Sequence, residues 1–242
     1  MSYNIILLDI FSYSCMNCLR SLKFIKKVDP KYKKYGLEII LIHPPEWEFE
    51  KLRENIDFAI KKYKITFPLI IDKDKKIIKK LKVNFWPTQI LIKNRKILYK
   101  HVGEGAYKKL ENSILKSLKL KSKKIFNQEP KYIKYPTFYL GKRKQNKAIT
   151  HNGWIQKDEH LQSTKNSSSL TIFTKGRIIN FVAESLSKRP IKVNVKLNNK
   201  VIKNLTINKP QLYNIIKLKN VKQQNLTLTT KRNLAVYSFS FQ

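Results

Sequence analysis

The chain has 242 residues, of which 42% are hydrophobic and 11% aromatic, and this composition excludes wholesale disorder. Lys and Arg number 51 against 16 Asp and Glu, a formal net charge of +35 that would attract nucleic acid, anionic lipid or acidic proteins. The lysines are spread along every segment, and no nucleic-acid-binding signature accompanies them, which disfavours nucleic acid as the partner.

The sequence also disfavours three further classes, namely membrane-spanning, exported and disulfide-framework proteins. No apolar run approaches the ~20 residues that a membrane-spanning helix needs. The opening residues "MSYNIILLDIFSYS" have no basic stretch before the apolar run and no small-residue cleavage site, so we expect no export signal and a cytoplasmic location. Two cysteines in a chain of this length are not a disulfide framework, and they need a local explanation.

Strands and helices alternate along residues 1–120. The predicted elements are a strand at 4–8, a helix from the cysteines to Pro30, a strand at 37–43, a helix over 44–63, a strand at 67–72, a hairpin over 88–103 around Asn94-Arg95, and a helix over 105–120. This order predicts an α/β domain, in which helices cover a parallel sheet and the hairpin adds an antiparallel edge.

The pattern changes near residue 120. Residues 121–136 are basic, contain two prolines and show no sustained periodicity, which predicts a linker. From 137 to 242 apolar residues recur at every second position, and Asn198-Asn199 is a predicted hairpin turn. This half is therefore predicted to be an all-β, jelly-roll-like sandwich. Its predicted strands are 170–174, 177–184, 190–197, 200–207, 211–217, 225–230 and 234–241.

Both cysteines lie in "FSYSCMNCLRSL", between the first strand and the first helix. Two intervening residues on the first turn of a helix bring the sulfurs of Cys15 and Cys18 within disulfide reach. Cys15 would lie at the helix N-terminus, where the helix dipole favours a thiolate nucleophile, and Cys18 would resolve the mixed disulfide that forms. The alternatives are two inert buried thiols or a zinc site, although zinc would need two more Cys or His ligands close by.

Two other segments extend the predicted site. Asp9 lies near the end of the first strand, where a buried carboxylate can exchange a proton with the inner thiol, Cys18; the alternative is a solvated or capping side chain. Trp86, Pro87 and Thr88 precede a strand, where a proline tolerates a cis peptide bond and leaves backbone groups for an extended client peptide. An ordinary turn is the alternative for this second segment.

The segment "HPPE" follows the second strand, at the sheet edge where the dithiol is expected. His43 or Glu46 there could tune the electrostatics of the cysteines. The alternative is that Pro45 and Glu46 simply begin a helix, where an acidic side chain complements the dipole.

The chain resembles the thioredoxin-like domains of the DipZ type, within the TlpA-like thiol–disulfide oxidoreductases. Residues 13–18 reproduce the Tyr-Ser-Cys-x-Asn-Cys pattern of that family, which also makes Tyr13 and Asn17 candidate neighbours of the site. The resemblance rests first on "LLDIFSYSCMNCLRSL", "LIHPPEWEFEK", "VNFWPTQILI" and "HVGEGAYKKLENSI". In the second half it rests on "TFYLGKRK", "GWIQKDEHL", "PQLYNII" and "AVYSFSF", which look like the appended, carbohydrate-binding-module-like sandwich of that family.

The resemblance implies a thioredoxin fold over 1–120 and thiol–disulfide exchange with protein disulfides. It assigns Cys15 as nucleophile, Cys18 as resolving thiol, Asp9 as proton acceptor and Pro87 as a cis-proline. It implies a redox partner, a glycan or protein ligand for the sandwich, no metal or organic cofactor, and the cell envelope as an alternative location. The competing hypothesis is a non-catalytic binding protein that uses the sandwich or its basic surface.

Overall fold

A computed structural model describes residues 5–121, 125, 136–142 and 149–242. The chain divides into two compact units, Met1–Lys131 and Tyr132–Gln242. The linker predicted over 121–136 lies outside the described residues except at 121, 125 and 136. The domain limits 1–120 and 137–242 therefore stay a prediction.

The first unit is built on a five-stranded sheet of strand order β3-β2-β1-β4-β5. Its strands are β1 (Ile5–Ile10), β2 (Leu37–His43), β3 (Leu69–Ile71), β4 (Thr88–Lys93) and β5 (Lys96–Val102). The first three strands are mutually parallel, whereas β4 runs antiparallel to β1 and forms a hairpin with β5. This is the predicted α/β sheet, and its strand order is that of a thioredoxin fold.

The helices of this unit are α1 (Met16–Tyr32), α2 (Arg53–Tyr63), α3 (Lys76–Lys80) and α4 (Tyr107–Ser117). The prediction that Pro30 ends the first helix is wrong, because α1 continues through it to Tyr32. Tyr32 is fully buried, and its hydroxyl donates to the buried carboxylate of Glu111. Tertiary packing therefore holds the last turn although the proline removes one helical hydrogen bond.

One other helix prediction needs correction, and one short helix was not predicted. The helix predicted over 44–63 is a 3₁₀ turn (Glu48–Lys51) followed by α2, because Leu52 between them has an extended backbone. Helix α3 has no counterpart among the predictions, since five residues are too few to show a period. Its first turn is held by Asp72, whose carboxylate accepts from the N–H groups of Ile77 and Ile78 at 3.0 and 2.9 Å.

The second unit is an antiparallel β-sandwich around one apolar core. Its strands are β6 (Phe138–Tyr139), β7 (Ile149–Asn152), β8 (Trp154–Gln156), β9 (Leu161–Ser163), β10 (Ser168–Ser185), β11 (Ile191–Leu197), β12 (Lys200–Ile207), β13 (Gln211–Thr230) and β14 (Leu234–Phe241). Asn198 and Asn199 both have positive φ, 47° and 67°, as a tight hairpin turn between β11 and β12 requires, so that prediction is confirmed.

Four of the predicted strands merge into two. Segments 170–174 and 177–184 are one strand, β10, and segments 211–217 and 225–230 are one strand, β13. A register shift between Gly176 and Ile178 bends β10 without ending it, so the glycine marks a bulge and not a turn. The first half of β10 pairs with β7 and the second half with β14, while β13 pairs with β10 along both halves.

Candidate active site at the Cys15–Cys18 dithiol

The dithiol lies where the chain leaves β1 and enters α1. Cys15 is the N-cap of α1, with extended backbone angles, and the N–H of Cys18 donates to its sulfur at 3.3 Å. Cys15 is partly exposed, Cys18 is fully buried, and both are free thiols. The outer sulfur therefore faces solvent at a helix N-terminus, and the inner sulfur lies behind it.

Burial raises the pKa of the Cys18 thiol well above its usual value, and the hydrogen bond and charge of Cys15 raise it further. The negative charge of Asp9 acts in the same direction. An opposing contribution comes from a backbone hydrogen bond with Ser12, which lowers this pKa. Cys18 therefore stays protonated near neutral pH and needs a proton acceptor before it can act as a nucleophile.

Asp9 is fully buried in β1, opposite Gln89 of β4 in the antiparallel register. The Gln89 amide donates to Asp9 Oδ1 at 2.8 Å and to Ser21 Oγ at 3.0 Å. Asp9 Oδ2 has no hydrogen-bond partner among the described residues. Burial raises the pKa of Asp9 to about 7, and the bond from Gln89 offsets part of that rise. A carboxyl group with this pKa can accept and release a proton at neutral pH.

The segment that precedes β4 lies next to the outer sulfur. The Trp86–Pro87 peptide bond is cis, and the Trp86 carbonyl oxygen is 4.0 Å from Cys15 Sγ. Thr88 is fully buried, and its hydroxyl donates to Phe85 O at 2.6 Å. The Thr88 side chain therefore holds the loop, whereas the side chain of Phe85 is 71% exposed.

The remaining predicted residues occupy three different positions. Tyr13 and His43 are buried and pack together, with ring centroids 5.4 Å apart, and His43 Nδ1 donates to Phe11 O at 3.1 Å. Glu46 accepts from the Trp86 indole N–H at 3.1 Å. Asn17 is exposed on the first turn of α1. Glu46 is thus joined to the loop beside Cys15, and His43 lies in the core beneath the 11–14 segment.

Two family models match this chain. The model described as "Thioredoxin-like" matches residues 3–97, and the model described as "Thioredoxin like C-terminal domain" matches residues 118–241, which is more than half of the chain. The chain belongs to the thioredoxin-like family. The second match covers the sandwich of this thioredoxin-like protein, and its resemblance to carbohydrate-binding modules stays a prediction.

The curated relatives match less than half of this chain. Human NHL repeat-containing protein 2 is 36% identical over 108 residues, which are 44% of this chain and 15% of that protein. Protein DipZ of Mycobacterium bovis is 30% identical over 46% of this chain and 16% of its own length. Thiol-disulfide oxidoreductase ResA of Bacillus cereus is 32% identical over 46% of this chain and 62% of its own length. The chain thus spans less than two thirds of each of these relatives.

A buried carboxylate that was not predicted lies behind the cysteine loop of the thioredoxin-like unit. Glu50 is fully buried, and its Oε1 accepts from the hydroxyls of Ser12 and Ser14, both at 2.6 Å. Its Oε2 accepts from the backbone N–H of Glu46 at 2.6 Å. The sequence signal was weak, because Glu50 lies in a segment with three other acidic side chains within five positions.

A second unpredicted contact lies on the other side of the dithiol. Arg20 of α1 donates to both carboxylate oxygens of Glu104, at 2.5–2.9 Å, and to Asn17 Oδ1 at 2.6 Å. The next contact is made by the backbone, where the N–H of Gly103 donates to Pro87 O at 2.7 Å. The 103–104 segment therefore touches both the dithiol helix and the loop that holds Pro87.

Neither a metal-binding cluster nor a membrane-spanning helix is present among the described residues. Among them, no group of three or more His, Cys, Asp or Glu side chains is arranged to hold a metal ion. Within the same part of the chain, no helix is both long enough and apolar enough to cross a membrane.

Proposed function

We propose that this chain catalyses thiol–disulfide exchange with protein disulfides through Cys15 and Cys18. The observation that carries the proposal is the pairing of a partly exposed sulfur at a helix N-terminus with a buried thiol near a carboxyl group of pKa about 7. The two cysteines therefore have different environments, as a nucleophile and a resolving thiol require.

In the first step the Cys15 thiolate attacks one sulfur of a client disulfide. A bond forms between Cys15 Sγ and that sulfur, the client disulfide breaks, and the other client sulfur leaves as a thiolate that takes a proton from solvent. The N–H of Cys18, 3.3 Å from Cys15 Sγ, stabilises the negative charge on the attacking sulfur.

In the second step Asp9 accepts the proton of the Cys18 thiol. The Cys18 thiolate attacks Cys15 Sγ, the Cys15–Cys18 disulfide forms, and the client leaves as its second thiol after taking a proton. Two electrons pass from the dithiol to the client disulfide. The same steps in reverse oxidise a client dithiol, so the reduction potential of the pair decides between a reductase and an oxidase or isomerase.

The client is proposed to lie against Trp86 and Pro87. The Trp86 carbonyl is 4.0 Å from Cys15 Sγ, so an extended peptide that pairs with this loop would bring its disulfide to the nucleophile. The exposed ring of Phe85 offers an apolar contact at the same place. Thr88 holds the loop from behind through its bond to Phe85.

Trapping tests the proposal directly. Cys18→Ser leaves the nucleophile and removes the resolving thiol, so mixed disulfides with clients should accumulate and disappear on addition of dithiothreitol. Cys15→Ser is the matched control and should trap none. Equal trapping by the two variants, or none by either, would contradict the proposed reaction.

A second role is proposed for the sandwich, as a binding unit for an anionic ligand. A cavity of about 750 Å³ is lined by Lys192, Lys231 and Arg232 together with four Asn side chains, and no acidic residue lines it. Lys192→Gln and Arg232→Gln should each weaken retention on immobilised heparin. Each loss should exceed that caused by Lys209→Gln, because Lys209 lies outside the cavity. Equal losses would indicate a diffuse charge effect and contradict this role.

A further inference from the structure

Glu50 joins the cysteine loop to the loop that is proposed to hold the client. Its carboxylate is fully buried, and a buried charge is stable only when its oxygens are hydrogen-bonded. Three donors at 2.6 Å meet this need, and they come from the segment before Cys15 and from the segment after β2. Nothing in the two proposed exchange steps uses this carboxylate.

The first link runs from Glu50 to the cysteine loop. Because the Ser12 hydroxyl donates to Glu50, its oxygen is free to accept from the N–H of Ser14 at 3.2 Å. The carbonyl of Ser12 accepts from the N–H of Cys15, also at 3.2 Å. Glu50 thus fixes the direction of the two serine hydroxyls that shape the turn into the nucleophile.

The second link runs from Glu50 to the client loop. Its other oxygen accepts from the N–H of Glu46, and the Glu46 carboxylate accepts from the indole N–H of Trp86 at 3.1 Å. The carbonyl of that same Trp86 lies 4.0 Å from Cys15 Sγ. The contacts therefore close a ring that begins and ends at the nucleophile.

We propose that Glu50 is a positioning residue, which sets the place of the Trp86 loop relative to Cys15 Sγ. The inference rests on the proposed thiol–disulfide exchange, in which the loop brings the client sulfur to that atom. Exchange requires the two reacting sulfurs to be aligned, and a displacement of about 1 Å can lower a rate about 100-fold. Because the Glu50 carboxylate holds both the cysteine loop and the Trp86 loop, it affects the rate of exchange without contacting the client.

Glu50→Gln keeps the size of the side chain but cannot keep both the link to the cysteine loop and the link to Glu46. A carboxylate accepts at both oxygens, whereas an amide has one acceptor and one donor group. If the amide oxygen faces the serines, the NH₂ group meets the N–H of Glu46, and that link breaks. If the amide oxygen faces Glu46, both serine hydroxyls must turn to accept, and the link to the cysteine loop changes.

The test is a double-mutant cycle in the reduction of insulin disulfides, with dithiothreitol as the electron donor. Glu50→Gln and Trp86→Phe, which removes the indole N–H, should each lower kcat/KM about tenfold. The double variant should also be lowered about tenfold and not about 100-fold, because both changes break the same ring. Alkylation of Cys15 by iodoacetamide should change less than about threefold, since this small reagent does not need the loop.

Glu48→Gln is the matched control, because Glu48 lies in the same 3₁₀ turn but its side chain is exposed and pairs with Lys51. It should leave kcat/KM unchanged.

Effects of Glu50→Gln and Trp86→Phe that multiply, or an equal loss of alkylation and of insulin reduction, would overturn the inference. If Glu50→Gln does not fold, Ser14→Ala with Trp86→Phe repeats the cycle. An inactive wild-type chain would instead contradict the proposed function itself.

Discussion

Replacing Asp9 with Asn should stabilise the protein, and the gain should depend on pH. The pKa of this buried carboxyl is about 7 in the folded chain, against 3.8 for the unperturbed group. Between these values the unfolded chain has released a proton that the folded chain still holds, so folding becomes less favourable as pH rises. The penalty is absent below about pH 4 and complete above about pH 7.

The size of the effect follows from the two pKa values. A difference of about three pH units at ~1.4 kcal/mol each corresponds to about 4 kcal/mol at pH 8. Asn is nearly the same size and keeps an oxygen that accepts from the Gln89 amide, so Asp9→Asn removes the charge and keeps the packing. The variant should gain up to about 4 kcal/mol at pH 8 and almost nothing at pH 4.

Urea unfolding of the reduced protein at pH 4 and pH 8 measures this gain, with the m-value as a check that the unfolded state is unchanged. Asp74→Asn is the control, because Asp74 is exposed and pairs only loosely with Lys76, at 3.8 Å. A gain from Asp9→Asn that is equal at the two pH values would contradict a raised pKa of Asp9 in the folded chain. At the same time the variant should resolve mixed disulfides more slowly, which separates stability from function.

Three other substitutions have expected outcomes. Gln89→Leu removes a bond that lowers the pKa of Asp9, so the pH midpoint of client resolution, followed by kcat, should move upward. Glu104→Gln replaces a buried carboxylate whose two oxygens both accept from the Arg20 guanidinium in α1, and urea unfolding should show a loss of about 1–3 kcal/mol. Gly141→Ala would bring a Cβ into the backbone oxygen of Asp158, and thermal unfolding should show a sandwich destabilised by about 1–3 kcal/mol. An unchanged midpoint, free energy or Tm would contradict the respective argument.

The sequence was informative where burial produces a pattern. Residues 5–8 of β1 and 39–42 of β2 are continuous apolar runs because both faces of the sheet are buried or half-buried there, and β2 has the predicted bounds. The strand–dithiol–helix order likewise follows from local spacing. Short elements such as α3 and the two- to four-residue strands β6–β9 have too few residues to show a period.

The polar contacts of the site could not be predicted in the same way. Glu50, Gln89 and Glu104 are buried although their side chains are typical of surfaces, and the side chains that they hydrogen-bond lie 36 to 84 positions away in the chain. Only the register of β1 against β4 brings Gln89 to Asp9. A polar residue inside the apolar run "TQILI" was the one local hint, and by itself it names no partner.

The cap of α1 has a thermodynamic consequence. The sulfur that accepts the first hydrogen bond of the helix is the sulfur proposed to change its bonding during exchange. A thiolate is a stronger acceptor than a disulfide sulfur, so the reduced helix should be held more tightly at its first turn. The redox state of the dithiol and the local opening of the helix are then linked equilibria. The Cys18 amide hydrogen should exchange with solvent more slowly in the reduced protein than in the oxidised protein.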